Sequence, residues 1–297
     1  GPFDLESFGC HGLPAAVERV LDPARGGVGG GGGGGVAGGG DEEVRVWDLM
    51  TSECVMVLEG HSNIVKSVAL NGDSTIIVSG SADKSIRVWD VKSGTCLKTL
   101  KGHSDWIRSV ALSSNGTIII SGSDDQTIRI WDWKAGECLK KLNGHSEWVR
   151  SVALNHDDTT IVSGSEDKTI RLWNVASGEC MMTLEGHTKD VRSVAFNYDS
   201  TTIVSVSFDA TVRVWNVESG NCEVTLGGHA HSISSVAFSH DGRKIISGCA
   251  DKSVKVWNAE SEKCVTKISG HTDWVRSAMF NHDLMKIVTS SFDKTIR

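Results

Sequence analysis

The sequence predicts an all-β fold in which repeated four-stranded antiparallel units stack around a common axis. Three observations predict it. Tryptophans stand at Trp47, Trp89, Trp131, Trp173, Trp215 and Trp257, a constant 42 residues apart. A Gly-His pair and an aspartate keep the same step, with histidines at His61, His103, His145, His187, His229 and His271 and aspartates at Asp41, Asp83, Asp125, Asp167, Asp209, Asp251 and Asp293. Each period also carries strand-like runs broken by turn residues. A fixed period of this length marks a repeat architecture, and seven such periods nearly fill the 297 residues.

One unit justifies the elements in turn: GHSDWIRSVALSSNGTIIISGSDDQTIRIWDWKAGECLKKL. Its β-branched runs IRSVAL, TIIISG and TIRIWD read as three strands, separated by Ser114-Asn115-Gly116 and Ser123-Asp124-Asp125. The run CLKKL is the fourth, leading to the next Gly-His. Helical periodicity is absent. A short four-stranded sheet cannot bury both faces alone, so the units must cover one another radially.

The recurring Gly-His, the Ser-Gly-Ser-x-Asp turn and the terminal Trp-Asp resemble the WD-repeat family over nearly the whole chain. Three later copies end in Asn174, Asn216 and Asn258, a variation the family tolerates. The resemblance implies a β-propeller, here of seven four-stranded blades around a central channel, the first degenerate and the last truncated. Within a blade the histidine can bridge the turn aspartate and a strand hydroxyl, to which the indole N–H can also donate. Together these satisfy buried polar groups and lock loops to strands. The expected sets are His61, Ser79, Asp83, Trp89; His103, Ser121, Asp125, Trp131; His145, Ser163, Asp167, Trp173; His187, Ser205, Asp209, Trp215; and His229, Ser247, Asp251, Trp257, with His271, Thr289 and Asp293 in the last unit. A Ser/His/Asp constellation elsewhere suggests nucleophilic catalysis. Repetition in every unit is what a structural lock requires and catalysis does not.

The ends are expected to close the ring. The segment LESFGCH (residues 5–11) aligns with an outer strand, where closure of the last unit needs one. AVERV (residues 16–20) resembles the inner strand Trp106-Ile107-Arg108-Ser109-Val110, and VAGGGD (residues 36–41) takes the place of Val78-Ser79-Gly80-Ser81-Ala82-Asp83. Ala37 then replaces the hydroxyl of the network. From His11 to Asp41 is 30 residues, against 22 from His61 to Asp83, so the glycine-rich stretch 26–40 reads as an insertion within the first unit. The expected domain is therefore 3–297. The rival is a tail over 1–40 ahead of a propeller over 41–297.

The composition narrows the function. A net charge of −7 argues against a broad nucleic-acid surface, and no apolar run is long enough to span a membrane. The chain does not open on methionine, as expected of a fragment. Cys54, Cys96, Cys138, Cys180, Cys222 and Cys264 keep the period and read as reduced packing residues, which favours the cytoplasm or nucleus. Cys10 and Cys249 give no metal-ligand spacing. The glycine run lacks the Gly-Lys-Ser/Thr ending of a phosphate loop, and Asn115-Gly116-Thr117 is explained as a hairpin turn. No cofactor, metal or catalytic site is expected.

In the resembled family, partners often dock where the Gly-His loops and aspartate turns emerge. The positions facing that rim carry Trp106, Arg108, Trp148, Arg150, Arg192, Phe208, Trp274, Arg276 and Phe292, with Ile64, Lys66, Asp124, Glu166 and Asp190 beside them. Tryptophan and arginine dominate interface hot spots. The expected function is a non-catalytic scaffold for proteins or peptides, including acidic or phosphorylated segments. Asp124 and Glu166 could instead pair with the arginines. The alternative function is the recognition domain of a larger signalling ATPase or other enzyme.

Overall fold

The computed structural model describes residues 3–4, 14–20, 34–39, 42–48, 51, 53–280 and 286–297. Residues 5–11, Asp41 and positions 26–33 and 40 of the glycine run lie outside them, so the readings placed there are not met by any described residue.

The described strands fall into seven four-stranded antiparallel sheets. One contains β2 (Pro14–Val20), β3 (Gly34–Gly39), β4 (Val44–Asp48) and β5 (Cys54–Leu58). The next is β6 (Val65–Leu70), β7 (Ile76–Ser81), β8 (Ser85–Asp90) and β9 (Cys96–Lys101). Then come β10 (Ile107–Leu112), β11 (Ile118–Ser123), β12 (Ile128–Asp132) and β13 (Glu137–Leu142). They are followed by β14 (Val149–Leu154), β15 (Thr160–Ser165), β16 (Ile170–Asn174) and β17 (Cys180–Leu184). The next sheet is β18 (Val191–Phe196), β19 (Thr202–Ser207), β20 (Val212–Asn216) and β21 (Cys222–Leu226). After it come β22 (Ile233–Phe238), β23 (Lys244–Cys249), β24 (Ser253–Asn258) and β25 (Cys264–Ser269). The last contains β26 (Val275–Phe280), β27 (Ile287–Ser291) and β28 (Thr295–Ile296), and is completed by β1 (Phe3–Asp4) from the other end of the chain. The closing pairs are Phe3 with Ile296 and Asp4 with Thr295.

First strands lie side by side in a continuous round, from β2 through β6, β10, β14, β18 and β22 to β26 and back to β2. This places them around the channel. Second strands such as β7 and β11 are buried almost throughout, whereas fourth strands such as β9 and β13 are mostly exposed. The hydrophobic core accordingly lies between sheets. Leu100 of β9 packs with Val110, Ile119 and Trp131 of the following sheet, and Leu142 of β13 with Val152, Ile161 and Trp173. Each large apolar side chain so buried contributes roughly 1.5–3 kcal/mol. Sheets approach closely at Gly80, where a Cβ would stand 2.7 Å from Cγ2 of Ile107.

The register of the first sheet corrects the alignment of AVERV. Pro14 faces Gly39 and Ala16 faces Gly38, with a shift between them, and Val17 faces Ala37. In the sheet of β10 the matching pairs are Ile107 with Ser123, Ser109 with Gly122 and Val110 with Ser121. Val17 therefore stands at the position of Val110, not of Ile107, and Ala15 at the position of Arg108. A run of glycines offers no side-chain pattern to fix register from sequence; the backbone pairing does so. Pro14 and Gly39 are 25 positions apart where Ile107 and Ser123 are 16 apart, so the additional residues fall between β2 and β3.

Candidate functional site

Six units close the expected polar network. Histidine Nδ1 lies 2.7–3.1 Å from the turn aspartate in His61–Asp83, His103–Asp125, His145–Asp167, His187–Asp209, His229–Asp251 and His271–Asp293. Nε2 lies 2.7–2.8 Å from Ser79, Ser121, Ser163, Ser205, Ser247 and Thr289 respectively. The indoles of Trp89, Trp131, Trp173, Trp215 and Trp257 donate to those serine hydroxyls at 2.8–2.9 Å.

The protonation pattern follows from the partners. Burial alone would raise the carboxyls of Asp83, Asp125, Asp167, Asp209 and Asp251. Hydrogen bonds from the histidine and the neighbouring Ser or Thr more than offset this and hold them far below the usual carboxylate range. Ionised, each can only accept, so Nδ1–H donates. Burial lowers His103 and His229 despite their aspartates, leaving neutral rings whose Nε2 accepts from the serine hydroxyl. The serine oxygen in turn receives the indole N–H. Ser79, Ser121, Ser163, Ser205 and Ser247 have no exposed surface. Hydroxyls enclosed and committed in this way brace the fold and cannot meet a substrate.

A β-bulge builds the rim. The pairing of first and second strands shifts between Val65 and Ser67, Ile107 and Ser109, Val149 and Ser151, Val191 and Ser193, Ile233 and Ser235, and Val275 and Ser277. The extra residue is Lys66, Arg108, Arg150, Arg192, Ser234 or Arg276. A bulge re-aims its side chain while leaving the strand paired on either side. The loops above are tied by backbone bonds such as Asp124 N–H to Trp106 O (2.9 Å) and Phe292 N–H to Trp274 O (2.9 Å).

The rim cations fall into two groups. Arg108 forms a fork with Asp124, Nε to Oδ1 at 2.8 Å and Nη2 to Oδ2 at 2.5 Å. Arg150 is held by Glu166, which Arg192 approaches only to 3.6 Å. Lys66 and Arg276 form no ion pair with a carboxylate among the described residues. Aromatic faces lie beneath several of them. Arg108 sits 4.7 Å from the ring centre of Trp106 and 5.3 Å from Trp148, and Arg150 sits 4.7 Å from Trp148. Lys66 is 5.2 Å from Trp106, Arg192 4.2 Å from Phe208 and Arg276 5.3 Å from Phe292. Burial, then the neighbouring Arg108 and Arg276, push Lys66 down to about 8. Burial, then Arg150 and Arg276, bring Arg192 down to about 9, and Arg150 and Arg276 are lowered as well. The bulges of the first strands, which line the channel, place these groups together at its mouth.

The bulges and aspartate turns therefore place the nine rim residues, and Lys66 beside them, where the register of the repeat expects them. The register of the repeat finds Lys66 as well. It could not show that Arg108 and Arg150 are largely neutralised by Asp124 and Glu166.

Four of the six periodic cysteines depart from the expected packing role, whereas Cys54 is half-buried and Cys222 packs against the core. All described cysteines are free, and Cys96, Cys138, Cys180 and Cys264 are exposed. They lie on fourth strands, where one face has no neighbouring sheet. Cys249 has a different setting. Ligand atoms of His229, Cys249 and Asp251 lie within 4.8 Å of one another. Yet Cys249 Sγ donates to His231 O and accepts from Asp251 N–H, as Ser81 Oγ does with Asn63 O and Asp83 N–H. Burial pushes its thiol up to about 12, far from the thiolate a metal needs. Cys249 thus takes the serine's place in the turn.

Among the described residues no helix is long and apolar enough to cross a membrane. No individual curated protein matches the chain. The family model described as WD domain, G-beta repeat matches residues 52–90, 94–132, 136–174, 178–216, 220–258 and 262–297. Six blades carry the repeat rather than the seven expected. The sheet of β2 to β5 falls largely outside the matches, because alanine and glycine stand where the others carry the network hydroxyl and its flanking residues. The chain belongs to the WD-repeat family and forms an all-β propeller of four-stranded antiparallel blades, a fold that generally serves as a protein-interaction scaffold.

Proposed function

We propose that this propeller is a non-catalytic scaffold that receives partner proteins or peptides on the face carrying Trp106, Trp148 and Trp274. The observation that carries this reading is the exposure of indoles on a charged rim: Trp148 is 37% and Trp274 48% exposed. Large aromatic surface left in water beside multidentate donors is what interface anchors require, each contributing about 2 kcal/mol or more when covered. Phe208 and Phe292 support the rim from below through Arg192 and Arg276. Acidic or phosphorylated segments suit the positive side of this face. We also include the sheet of β2 to β5 as a seventh blade of the same domain, spanning 3–297. Its bulge at Ala15, matching that of β10, supports this extent.

Affinity capture with the wild type beside a Trp106→Ala, Trp148→Ala, Trp274→Ala variant tests the scaffold. Loss of specific partners with unchanged circular dichroism is expected. An unchanged partner set sinks the proposed face.

A further inference from the structure

Around the channel mouth the bulge positions carry Ala15, Lys66, Arg108, Arg150, Arg192, Ser234 and Arg276, so five of seven sheets present a cation there. Two rim carboxylates answer them. Asp124 is occupied by the fork of Arg108, and Glu166 is shared between Arg150 and, at 3.6 Å, Arg192. Asp190 attracts Arg192 from the loop above without forming an ion pair among the described residues. Ser234 turns its hydroxyl to backbone carbonyls of Gly248 and Val275, and adds no charge. Positive charge is left over on Lys66 and Arg276, and on Arg192, which has only a share of Glu166. Phe292 and Trp106 lie under two of them, and an aromatic face attracts a cation without neutralising it.

We propose that the channel mouth is a binding site for a small phosphate-based polyanion, of the pyrophosphate class, held by Lys66, Arg192 and Arg276.

The direction of the donors selects this chemistry. A carboxylate is planar and is satisfied by one guanidinium fork, as Asp124 is by Arg108. The three remaining cations come from different sheets, so the anion must accept from several sides and carry at least two charges. Phosphate oxygens do both. Recession selects a free ion over a group borne on a partner: the Arg192 side chain is 13% exposed, beneath a rim whose tryptophans are far more open. Burial first, and then repulsion from neighbouring cations, lowers the proton affinities of Lys66 and Arg192, and such an anion would relieve the second of these causes. The inference stands apart from the scaffold reading, which rests on the indoles above.

Thermal unfolding of the full chain, titrated with sodium pyrophosphate against sodium chloride at matched ionic strength, tests it. A ligand that binds only the folded state raises the midpoint as its concentration passes the dissociation constant. A saturable rise specific to pyrophosphate is expected. The Lys66→Met, Arg276→Met double variant is expected to unfold at a higher temperature than wild type without pyrophosphate, and to bind it about tenfold or more weakly. Lys66→Met alone should show both effects at smaller size if the double variant folds poorly. The Trp148→Ala, Trp274→Ala variant keeps all three cations and should bind pyrophosphate as wild type does, whatever becomes of partner capture. Equal responses to pyrophosphate and chloride, or an undiminished response in both methionine variants, overturn the site. A phosphoserine peptide binding about tenfold tighter than pyrophosphate overturns the free-ion assignment.

Discussion

The arc from β6 to β22 and the seam between β22–β25 and β26–β28 use the same repeat, yet they are finished differently. Along the arc, a serine hydroxyl in each first strand accepts a backbone N–H from the next: Val110 to Ser67, Val152 to Ser109, Val194 to Ser151 and Val236 to Ser193, at 3.1–3.3 Å. At the seam Ser235 Oγ is buried without a hydrogen-bond partner. Along the arc Leu100, Leu142, Leu184 and Leu226 are each at most 5% exposed, whereas Ile268 at the equivalent place in β25 is 38% exposed. The last sheet retains the histidine, threonine and aspartate of the lock but ends at Arg297, ahead of the position where other units place the indole. The difference teaches that a blade is completed by its neighbour. Along the arc each fourth-strand leucine is buried in a cluster that includes the tryptophan of the following sheet.

The largest expected break in the comparison is Trp131→Ala against Ile268→Ala. The first removes a buried indole and its hydrogen bond to Ser121, and should cost about 3–5 kcal/mol. The second should cost about 1 kcal/mol, because more than a third of its surface is already in water. Urea unfolding of the two variants measures the contrast; equal losses would mean that the seam is packed as tightly as the arc.

Next is Asp167→Asn, which leaves one carbonyl oxygen and an NH2 where the carboxylate accepts from His145 Nδ1–H and Ser146 N–H on Oδ2 and from Thr169 on Oδ1, and should cost about 2–3 kcal/mol. These aspartates have folded-state affinities for protons below their unfolded ones. Their stabilisation is therefore present above about pH 4 and is lost as pH falls below it. At the seam, burial raises Asp293, but Thr295 and the loop bonds bring it to about 2. Acid unfolding of wild type should steepen below about pH 4, and Asp167→Asn should flatten that slope; a pH-independent difference between the two would contradict the assignment.

Ser109→Ala and Ser235→Ala sharpen the comparison at a single atom. The first deletes a rung and should cost about 1 kcal/mol, while the second removes an unpaired buried hydroxyl and should be neutral or stabilising. Thermal melts of both decide it, and a larger loss for Ser235 would refute the broken rung. The smallest effect is at Ala210, held at φ +67° in the aspartate turn. Ala210→Gly relieves the left-handed strain and should stabilise by up to about 1 kcal/mol in the same melts.

Much of the lock was legible because its four residue types recur in step, and each needs the others to be satisfied when buried. The strand order was legible from the apolar runs and turn residues of a single unit. The position of AVERV was not, since the glycines opposite give no alternation to align, and hydrogen-bond register decided it. The charge balance of the rim was half legible. Asp124 and Glu166 stand in sequence where pairing with arginine was foreseeable, but which cations stay uncompensated depends on how each bulge turns its side chain. The exposure of the periodic cysteines was hidden for a related reason. A repeated residue has a repeated environment, but periodicity does not say whether that environment is inside.

The clasp between Phe3 and Ile296 has a kinetic consequence. Every hydrogen-bonded strand pair in the other sheets joins neighbours in sequence, so each unit can zip up locally as soon as its own residues are available. Among the described residues the last sheet alone must recruit a strand from far away in sequence, Phe3–Asp4 against Thr295–Ile296. Closure entropy grows only slowly with loop length, about 0.6 kcal/mol for each doubling, so the clasp is thermodynamically accessible. Its rate is another matter, because long-range pairing is slow to be found. Folding should therefore run as a fast procession of blades followed by one slow snap, with an open crescent as the species that waits.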